Sequence, residues 1–338
     1  MSPRNKIIPI FVPHLGCPNQ CVFCDQRRIS GSLFPASAES VRIALEGLEG
    51  TGYEAAFYGG SFTAIPAERQ EELLAALAPW RENGIVTSVR LSTRPDAVDE
   101  TVTARLRRWG VGTVELGAQS MTEEVLRLSG RGHTAQDTEN ACRLLKAGGF
   151  RVVLQMMTGL PGETAESSLD TARRLIALGP DGVRIYPTVI VRGTPLEELW
   201  RRGEYREHTV EEAVELCARL LPLFDAAGIP VIRLGLNPTD ALSGGDALAG
   251  AYHPALGELV RSRVLRNKAE VLLSDIAPGS AVTLGVAERC LSQMTGQRRE
   301  NLRWLRRRFA LAEVRVRSAD VPPGEIVRLE VANGREML

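Results

Sequence analysis

Ile7-Ile-Pro-Ile-Phe-Val-Pro13-His-Leu-Gly-Cys17-Pro-Asn-Gln-Cys21-Val-Phe-Cys24 is an apolar run that breaks into a loop carrying three thiols. The first seven residues read as a buried strand, because a short apolar run bounded by turn-forming residues suits a sheet. The cysteines then lie at the carboxyl end of that strand, where barrels of alternating strands and helices build their sites. Thiolates are soft ligands that suit iron–sulfur clusters or zinc. A 4Fe-4S cluster needs one ligand per iron, so three local cysteines would leave one iron open. The alternative is a closed zinc site in which His14 joins Cys17, Cys21 and Cys24.

Outward from this loop the pattern repeats. Apolar runs at Ala55–Tyr58, Val86–Ser92, Val111–Leu116, Arg151–Met157, Gly182–Ile190 and Pro230–Leu234 read as strands. Amphipathic stretches at 37–49, 67–82, 99–109, 134–147, 164–178 and 209–227 read as helices, with Ser37 as an N-cap and Gly110, Gly148 and Gly179 as stops. Such alternation predicts a parallel α/β sheet. Six or seven units predict a partial (βα)6 barrel over residues 1–236, with an open doubly wound sheet as the alternative. Residues 237–254 are rich in Gly, Pro, Ser and Asp and read as a loop, and 237–278 as a linker and helix. Residues 279–338 read as a small α+β unit.

The composition is that of a packed protein: 44% hydrophobic, 24% charged, net charge zero. Overall charge therefore selects no partner. Only Lys6, Lys146 and Lys268 are lysines among 41 basic residues, a bias given no functional weight. No run approaches the roughly 18 apolar residues of a membrane span, and the first residues lack a secretory pattern. A cytoplasmic protein with no membrane partner is expected. Cys142, Cys217 and Cys290 are isolated and expected in the core rather than at a second cluster.

Further motifs fall at strand ends. Tyr58-Gly59-Gly60-Ser61-Phe62 lets backbone approach a polar ligand closely. Glu115-Leu-Gly-Ala-Gln119-Ser brings a carboxylate and an amide near the barrel mouth, or alternatively a glutamate bonded within the barrel. Arg131-Gly-His133-Thr134 offers a guanidinium to a carboxylate, with His133 either structural or catalytic. Met157-Thr-Gly159-Leu160-Pro-Gly-Glu163-Thr164 opens a helix whose loop N–H groups can face a ligand, with Thr164 as N-cap. Phe23 and Tyr186 offer aromatic faces.

Together these strings resemble the radical S-adenosylmethionine (radical SAM) superfamily. Over residues 7–236, including Ser92-Thr-Arg94-Pro-Asp96, Ile185–Thr194 and Leu196–Trp200, they resemble the radical SAM domain of the Elongator catalytic subunit. Several also resemble oxygen-independent coproporphyrinogen dehydrogenases. The resemblance implies a 4Fe-4S cluster on Cys17, Cys21 and Cys24, and reductive cleavage of SAM to a 5′-deoxyadenosyl radical. It implies SAM contacts from Phe23, Gly59, Gly60, Ser61, Gln119, Arg131, Met157, Gly159, Leu160 and Tyr186. Gly59 and Gly60 would meet the methionyl amino group, Arg131 its carboxylate, and Met157–Leu160 with Tyr186 the adenine. An electron donor such as flavodoxin or ferredoxin is expected. Two departures stand out. Elongator-type chains carry Glu where this one has Ser92, and the stretch after residue 236 is too short for an acetyltransferase domain, so acetyl-CoA chemistry is not expected.

In the last unit, Val282–Met294 reads as a strand entering a helix. A Gly296-Gln-Arg298-Arg299 loop follows, then a helix Glu300–Phe309 and strands Glu313–Arg317 and Glu325–Val331. This order resembles an RNA-binding KH module, whose GXXG loop clamps the backbone, although Arg299 replaces the second glycine. Eight arginines against two acids between Arg298 and Arg317 make a local cationic face. Gly296, Arg298, Arg299, Arg303 and Arg306 are the expected RNA contacts, with Arg299, Arg303 and Arg306 on one helical face. The expected function is radical modification of tRNA or another RNA. The alternatives are a radical enzyme on a tetrapyrrole-like small molecule and a metal-stabilised RNA-binding protein without catalysis.

Overall fold

The structure is a computed structural model that describes residues 6–12, 15, 17, 21–30 and 36–329. The chain divides into two compact units, residues 1–213 with 223–254, and residues 214–222 with 255–338.

The first unit is built on seven strands: β1 (Lys6–Phe11), β2 (Tyr53–Tyr58), β3 (Val86–Thr93), β4 (Val111–Gln119), β5 (Arg151–Thr158), β6 (Gly182–Pro187) and, after a short β7 (Val189–Val191), β8 (Val231–Leu234). They pair in parallel in the order β1-β2-β3-β4-β5-β6-β8. A doubly wound sheet would reverse direction at a switch point; this unbroken succession is that of a partial barrel. Curvature follows from one distance. Arg184 on β6 and Tyr58 on β2 stand four strand spacings apart, about 19 Å on a flat sheet. The Arg184 guanidinium nevertheless lies 3.3 Å from the Tyr58 hydroxyl, so the sheet curls and both side chains occupy its concave face.

Helices start where short polar side chains can take up orphan backbone N–H groups. Ser37, Thr134 and Thr164 each cap a helix and close a reciprocal capping box. The stretch 67–82 forms two helices, Ala67–Ala75 and Ala78–Glu82, the second with Pro79 in its first turn. Gly110 and Gly179 take positive φ at helix ends as expected, whereas Gly148 stays right-handed and Gly149 makes the left-handed turn.

Two boundaries differ from expectation. The run 182–190 breaks after Pro187, which has no N–H with which to extend the ladder, and β7 leaves the main sheet. The segment 237–254, expected as a loop or linker, folds back instead. It forms a turn at Leu242–Asp246 and strand β9 (Ala247–Gly250), antiparallel to β7. Val189, Val191 and Leu242 bury its small core. Its glycines serve tight turns: Gly245 and Gly250 both have positive φ.

The second unit carries the helix Leu256–Leu272 and a three-stranded sheet. Its central strand β10 (Ala281–Val286) pairs in parallel with β11 (Glu313–Ser318) and antiparallel with β12 (Ile326–Leu329). Leu265, Leu284, Val286, Met294 and Leu305 fill its core. Val331, expected at the end of the last strand, lies outside the described residues. Among the described residues no helix is long and apolar enough to cross a membrane.

Candidate active site

The cysteine loop is bound to the end of β2 by backbone. Val12 N donates to Tyr58 O at 2.6 Å, and Ser61 N donates to Leu15 O at 2.9 Å. Between these bonds sits Gly60, where an added Cβ would lie 2.4 Å from Val12 O and 2.6 Å from Leu15 O. Gly59 has φ +92, a region that side chains disfavour. The two glycines therefore serve different needs, close approach at Gly60 and backbone conformation at Gly59. Ser61 Oγ lies 3.7 Å from Cys17 Sγ.

Cys17 is exposed, Cys24 half-buried and Cys21 buried. Arg131, itself buried, directs NH1 to Cys21 Sγ at 3.2 Å and NH2 to Gly117 O at 2.7 Å. Gln26 Nε2 lies 3.1 Å from Cys24 Sγ. Loss of water and the nearby Cys21 push the Cys24 thiol up to about 12, with Cys17 adding to the effect. A bound metal reverses that balance by taking thiolate ligands outright. Among the described residues no group of three His, Cys, Asp or Glu is closed up as a ready-made metal site. His14, the fourth ligand of the zinc alternative, lies outside those residues, as do Gly16 and Pro18–Gln20. The donor set suits an iron–sulfur group: three soft sulfurs within electrostatic reach of one another, facing a buried guanidinium.

Arg131 is held from behind. Its carbonyl accepts from Arg94 NH2 at 2.8 Å, and Arg94 is 3% exposed and paired with Asp96. Gln119 has φ +63 just past a register shift in β4, and accepts from Gln155 Nε2 at 3.1 Å. A side chain at Gly117 would meet Gln119 Nε2 at 2.8 Å and Arg131 NH2 at 3.3 Å. These contacts bring Gln119, Gly117, Arg131 and Cys21 into one corner. His133 points the other way. Its Nε2 lies 3.2 Å from Ala118 O, and its buried Nδ1 has no partner among the described residues. Burial, then the Arg131 charge, push its pKa down to about 4, so it is neutral at neutral pH.

Several of the apolar residues named from the sequence gather in one cluster. Phe23 and Tyr186 pack against Val125, Met157 and Leu160. Gly159 has φ +75, and its carbonyl accepts from Tyr205 Oη at 2.6 Å. Leu160 N donates to Glu163 at 3.2 Å, and burial raises that carboxyl to about 7. Cys142, Cys217 and Cys290 are buried.

The expected RNA contacts fall in the second unit but do not share one face. Arg298 and Arg299 both take left-handed backbone, φ 49 and 64, ahead of the helix Glu300–Arg308. That breaks the helical register expected for Arg299 with Arg303 and Arg306. Arg299 instead lines a groove of about 350 Å³ with Thr295, Leu302, Glu313, Arg315 and Arg317. Arg303 is exposed on the helix, and Arg306 Nε donates to Leu311 O at 3.3 Å. Gly296 has φ +75, with Asn301 3.0 Å from the place of a Cβ.

Residues 11–175 match the radical SAM superfamily and residues 180–266 the radical SAM C-terminal domain. A protein of Methanocaldococcus jannaschii described as uncharacterised is 31% identical over 235 residues, covering 64% of this chain and 72% of that one. A tRNA uridine(34) acetyltransferase of Methanocaldococcus infernus is 38% identical over 129 residues, 37% of this chain and 24% of that one. The solved structure of the M. infernus Elp3 with an N-terminal deletion superposes with a TM-score of 0.61 at 25% identity, covering 78% of this chain and 63% of that one. The chain spans about a third of the length of the Elongator complex protein 3 relatives it matches. Enzymes of this superfamily use a 4Fe-4S cluster and SAM. With three cysteines at the end of β1, a glycine pair at the end of β2 and a seven-stranded partial barrel behind them, the chain belongs to the radical SAM superfamily as one of its enzymes.

Proposed function

We propose that this enzyme modifies an RNA, a tRNA uridine in the first instance, with Cys17, Cys21 and Cys24 holding the cluster. The observation that carries the reading is the likeness over most of the chain to the M. infernus Elp3 structure, joined to a relative named for tRNA uridine(34). The Arg299–Arg315–Arg317 groove supports it, because phosphate contacts need clustered arginines.

Cys17, Cys21 and Cys24 would hold the cluster, which would supply the electron for reductive cleavage of the C5′–S bond of SAM. The residues of the chain do the positioning. Gly59 and Gly60 admit the methionyl end, and Arg131, with NH1 at Cys21 and NH2 at Gly117 O, stands to pair with its carboxylate. Gln119 stands beside it. Phe23, Met157, Leu160 and Tyr186 cover the adenine and exclude water, with Gly159 giving the loop its turn. The protein orients and shields chemistry that the cofactors perform. Flavodoxin or ferredoxin is the proposed electron donor.

The test is anaerobic reconstitution with iron and sulfide, then incubation with SAM, dithionite and total tRNA. 5′-Deoxyadenosine and a nucleoside of changed mass in the tRNA digest are expected. 5′-Deoxyadenosine with every tRNA nucleoside unchanged would refute the RNA assignment.

A further inference from the structure

Barrel interiors are ordinarily filled by branched apolar side chains. One layer of this concave face is charged instead. Glu115 on β4 accepts three hydrogen bonds on Oε1: from Tyr58 Oη at 3.2 Å, Arg90 NH1 at 2.8 Å and Arg184 NH2 at 2.8 Å. Arg90 also binds Glu54 through Nε and NH2, each at 3.0 Å, and Ser88 donates to the same carboxylate at 3.3 Å. Arg184 NH1 donates to Tyr186 Oη at 3.2 Å. All four charged groups are largely buried, their side chains between 5% and 14% exposed. Burial works against the Arg184 charge, but Glu115, Tyr186 and Tyr58 together outweigh it and hold the guanidinium above its ordinary range.

Such a layer is a poor way to build a core. Well-packed apolar residues of similar volume often stabilise a protein as much as a buried ion pair or more. The bonding is also lopsided. Among the described residues all donors to Glu115 go to Oε1 and none to Oε2. Arg184 Nε is buried and has no partner among the described residues. Tyr186 Oη accepts from Arg184, which leaves its own proton to donate. The layer lies next to the cofactor corner: Glu115 is two residues from Gly117, which binds Arg131, about 6.6 Å along the strand.

We infer that Glu115, Arg184 and Tyr186 form the base-recognition subsite of the RNA substrate, reading a ring N–H that lies beside a carbonyl, as in uracil. Glu115 Oε2 accepts the ring N–H, and Arg184 or Tyr186 donates to the neighbouring carbonyl oxygen. Cytosine presents the reverse pattern, a bare ring nitrogen beside an amino group, so its nitrogen lone pair would face the carboxylate. A site built to pair a particular donor rejects a ligand lacking it, because a buried acceptor is left unmade. Arg90 and Tyr58 act through Glu115. They fix its Oε1 and so aim Oε2, which makes them positioning residues. The inference rests on the RNA reading and names the groups that would select the base.

The test is equilibrium competition binding to the reconstituted enzyme, with SAM present and no reductant. The probes are RNA hairpins that differ at one loop position, uridine or cytidine. The parent enzyme should prefer uridine by about ten- to a hundredfold, the range of one charge-assisted hydrogen bond. In Glu115→Gln the three donors hold the amide oxygen at the Oε1 place and turn the NH2 to the base, so the uridine preference should be lost or pass to cytidine, whose ring nitrogen accepts. Equal affinity of the parent enzyme for both hairpins would overturn this subsite and leave RNA binding standing. No binding of either hairpin would overturn the RNA reading and the subsite with it. The parent comparison needs no variant, so it decides even if Glu115→Gln does not fold.

Discussion

Gly60→Ala tests whether the cysteine loop is held in place by backbone approach to β2. Gly60 does not have positive φ, so alanine meets no conformational penalty there and the effect is steric. The new Cβ would stand 2.4 Å from Val12 O and 2.6 Å from Leu15 O, about 1 Å inside ordinary contact. Both neighbours are backbone atoms, which cannot swing aside as the tip of a side chain can. Relief must lengthen the Ser61 N–Leu15 O bond, the Val12 N–Tyr58 O bond, or both. Overpacking costs about 1–3 kcal/mol, and a lost backbone bond adds about 0.5–1.5 kcal/mol. A destabilisation of about 2–4 kcal/mol is expected in urea titrations of the anaerobic apoprotein. Leu15 is two residues from Cys17, so the displacement should also reach the ligand loop and lower the iron retained per chain after reconstitution. Parent-like stability together with parent-like iron content would refute the reasoning and show that the loop rides freely over β2.

Three further outcomes follow from the same geometry. Replacing Arg131 by Ala removes the guanidinium beside Cys21 and should weaken SAM binding by about 1.5–3 kcal/mol, measured by equilibrium dialysis on reconstituted enzyme; unchanged affinity would mean that Arg131 serves Cys21 and Gly117 alone. His133 has a folded pKa near 4 against 6.5 unfolded, so the unfolded chain takes up a proton first and stability is lost as pH falls from about 6.5 to 4. That loss is about 3 kcal/mol; His133→Gln should lack this component in urea titrations across that window, and an unaltered pH slope would refute the assignment. The Arg299→Ala/Arg315→Ala double variant should weaken tRNA binding and lower the slope of log K against log salt by about 0.7 for each single-strand phosphate that is no longer neutralised, whereas Arg306→Ala, whose side chain is tied to Leu311 O, should change it less; equal slopes throughout would make the groove a packing feature.

The sequence was most legible where one local rule decides the outcome. Apolar runs marked every strand of the barrel, and Ser37, Thr134 and Thr164 marked helix starts because an N-cap is a contact within a few residues. It was less legible where distant segments meet. Nothing local to 237–254 says that it will pair with Val189–Val191, since an antiparallel partner about sixty residues away leaves no periodic trace in a Gly-rich stretch. Arg299 was misplaced for a related reason. Helical spacing put it with Arg303 and Arg306, but two consecutive left-handed residues turn it towards β11, and a non-glycine residue in that region is uncommon enough that propensity points elsewhere. Arg90 and Arg184 did leave a signal. Each is a charge between apolar neighbours in a strand, Val89-Arg90-Leu91 and Val183-Arg184-Ile185, and a charge so placed needs a partner across the inner face.

That partner is Glu115, and its position bears on how this chain differs from the Elongator pattern. The resemblance to Elongator-type sequences implies Glu at the position that is Ser92 here, and the β3–β4 ladder places Ser92 directly opposite Glu115. The serine hydroxyl donates to Phe57 O at 3.3 Å and takes no part in the charged layer. A second carboxylate at 92 would stand beside Glu115 with Arg90 already shared between Glu54 and Glu115, and like charges on paired positions oppose each other. Serine instead leaves Glu115 alone at this height of the barrel, with two guanidiniums and a tyrosine on one oxygen and, among the described residues, no donor on the other. Ser92→Glu should therefore fail to restore an Elongator-like site. It would draw Arg90 from Glu115, free Oε1 and blur the direction in which Oε2 points, so the uridine preference of the hairpin assay should shrink even though a carboxylate has been added. A preference that rises instead would mean that base selection depends on the number of carboxylates in the layer and not on how Arg90 and Arg184 aim one of them.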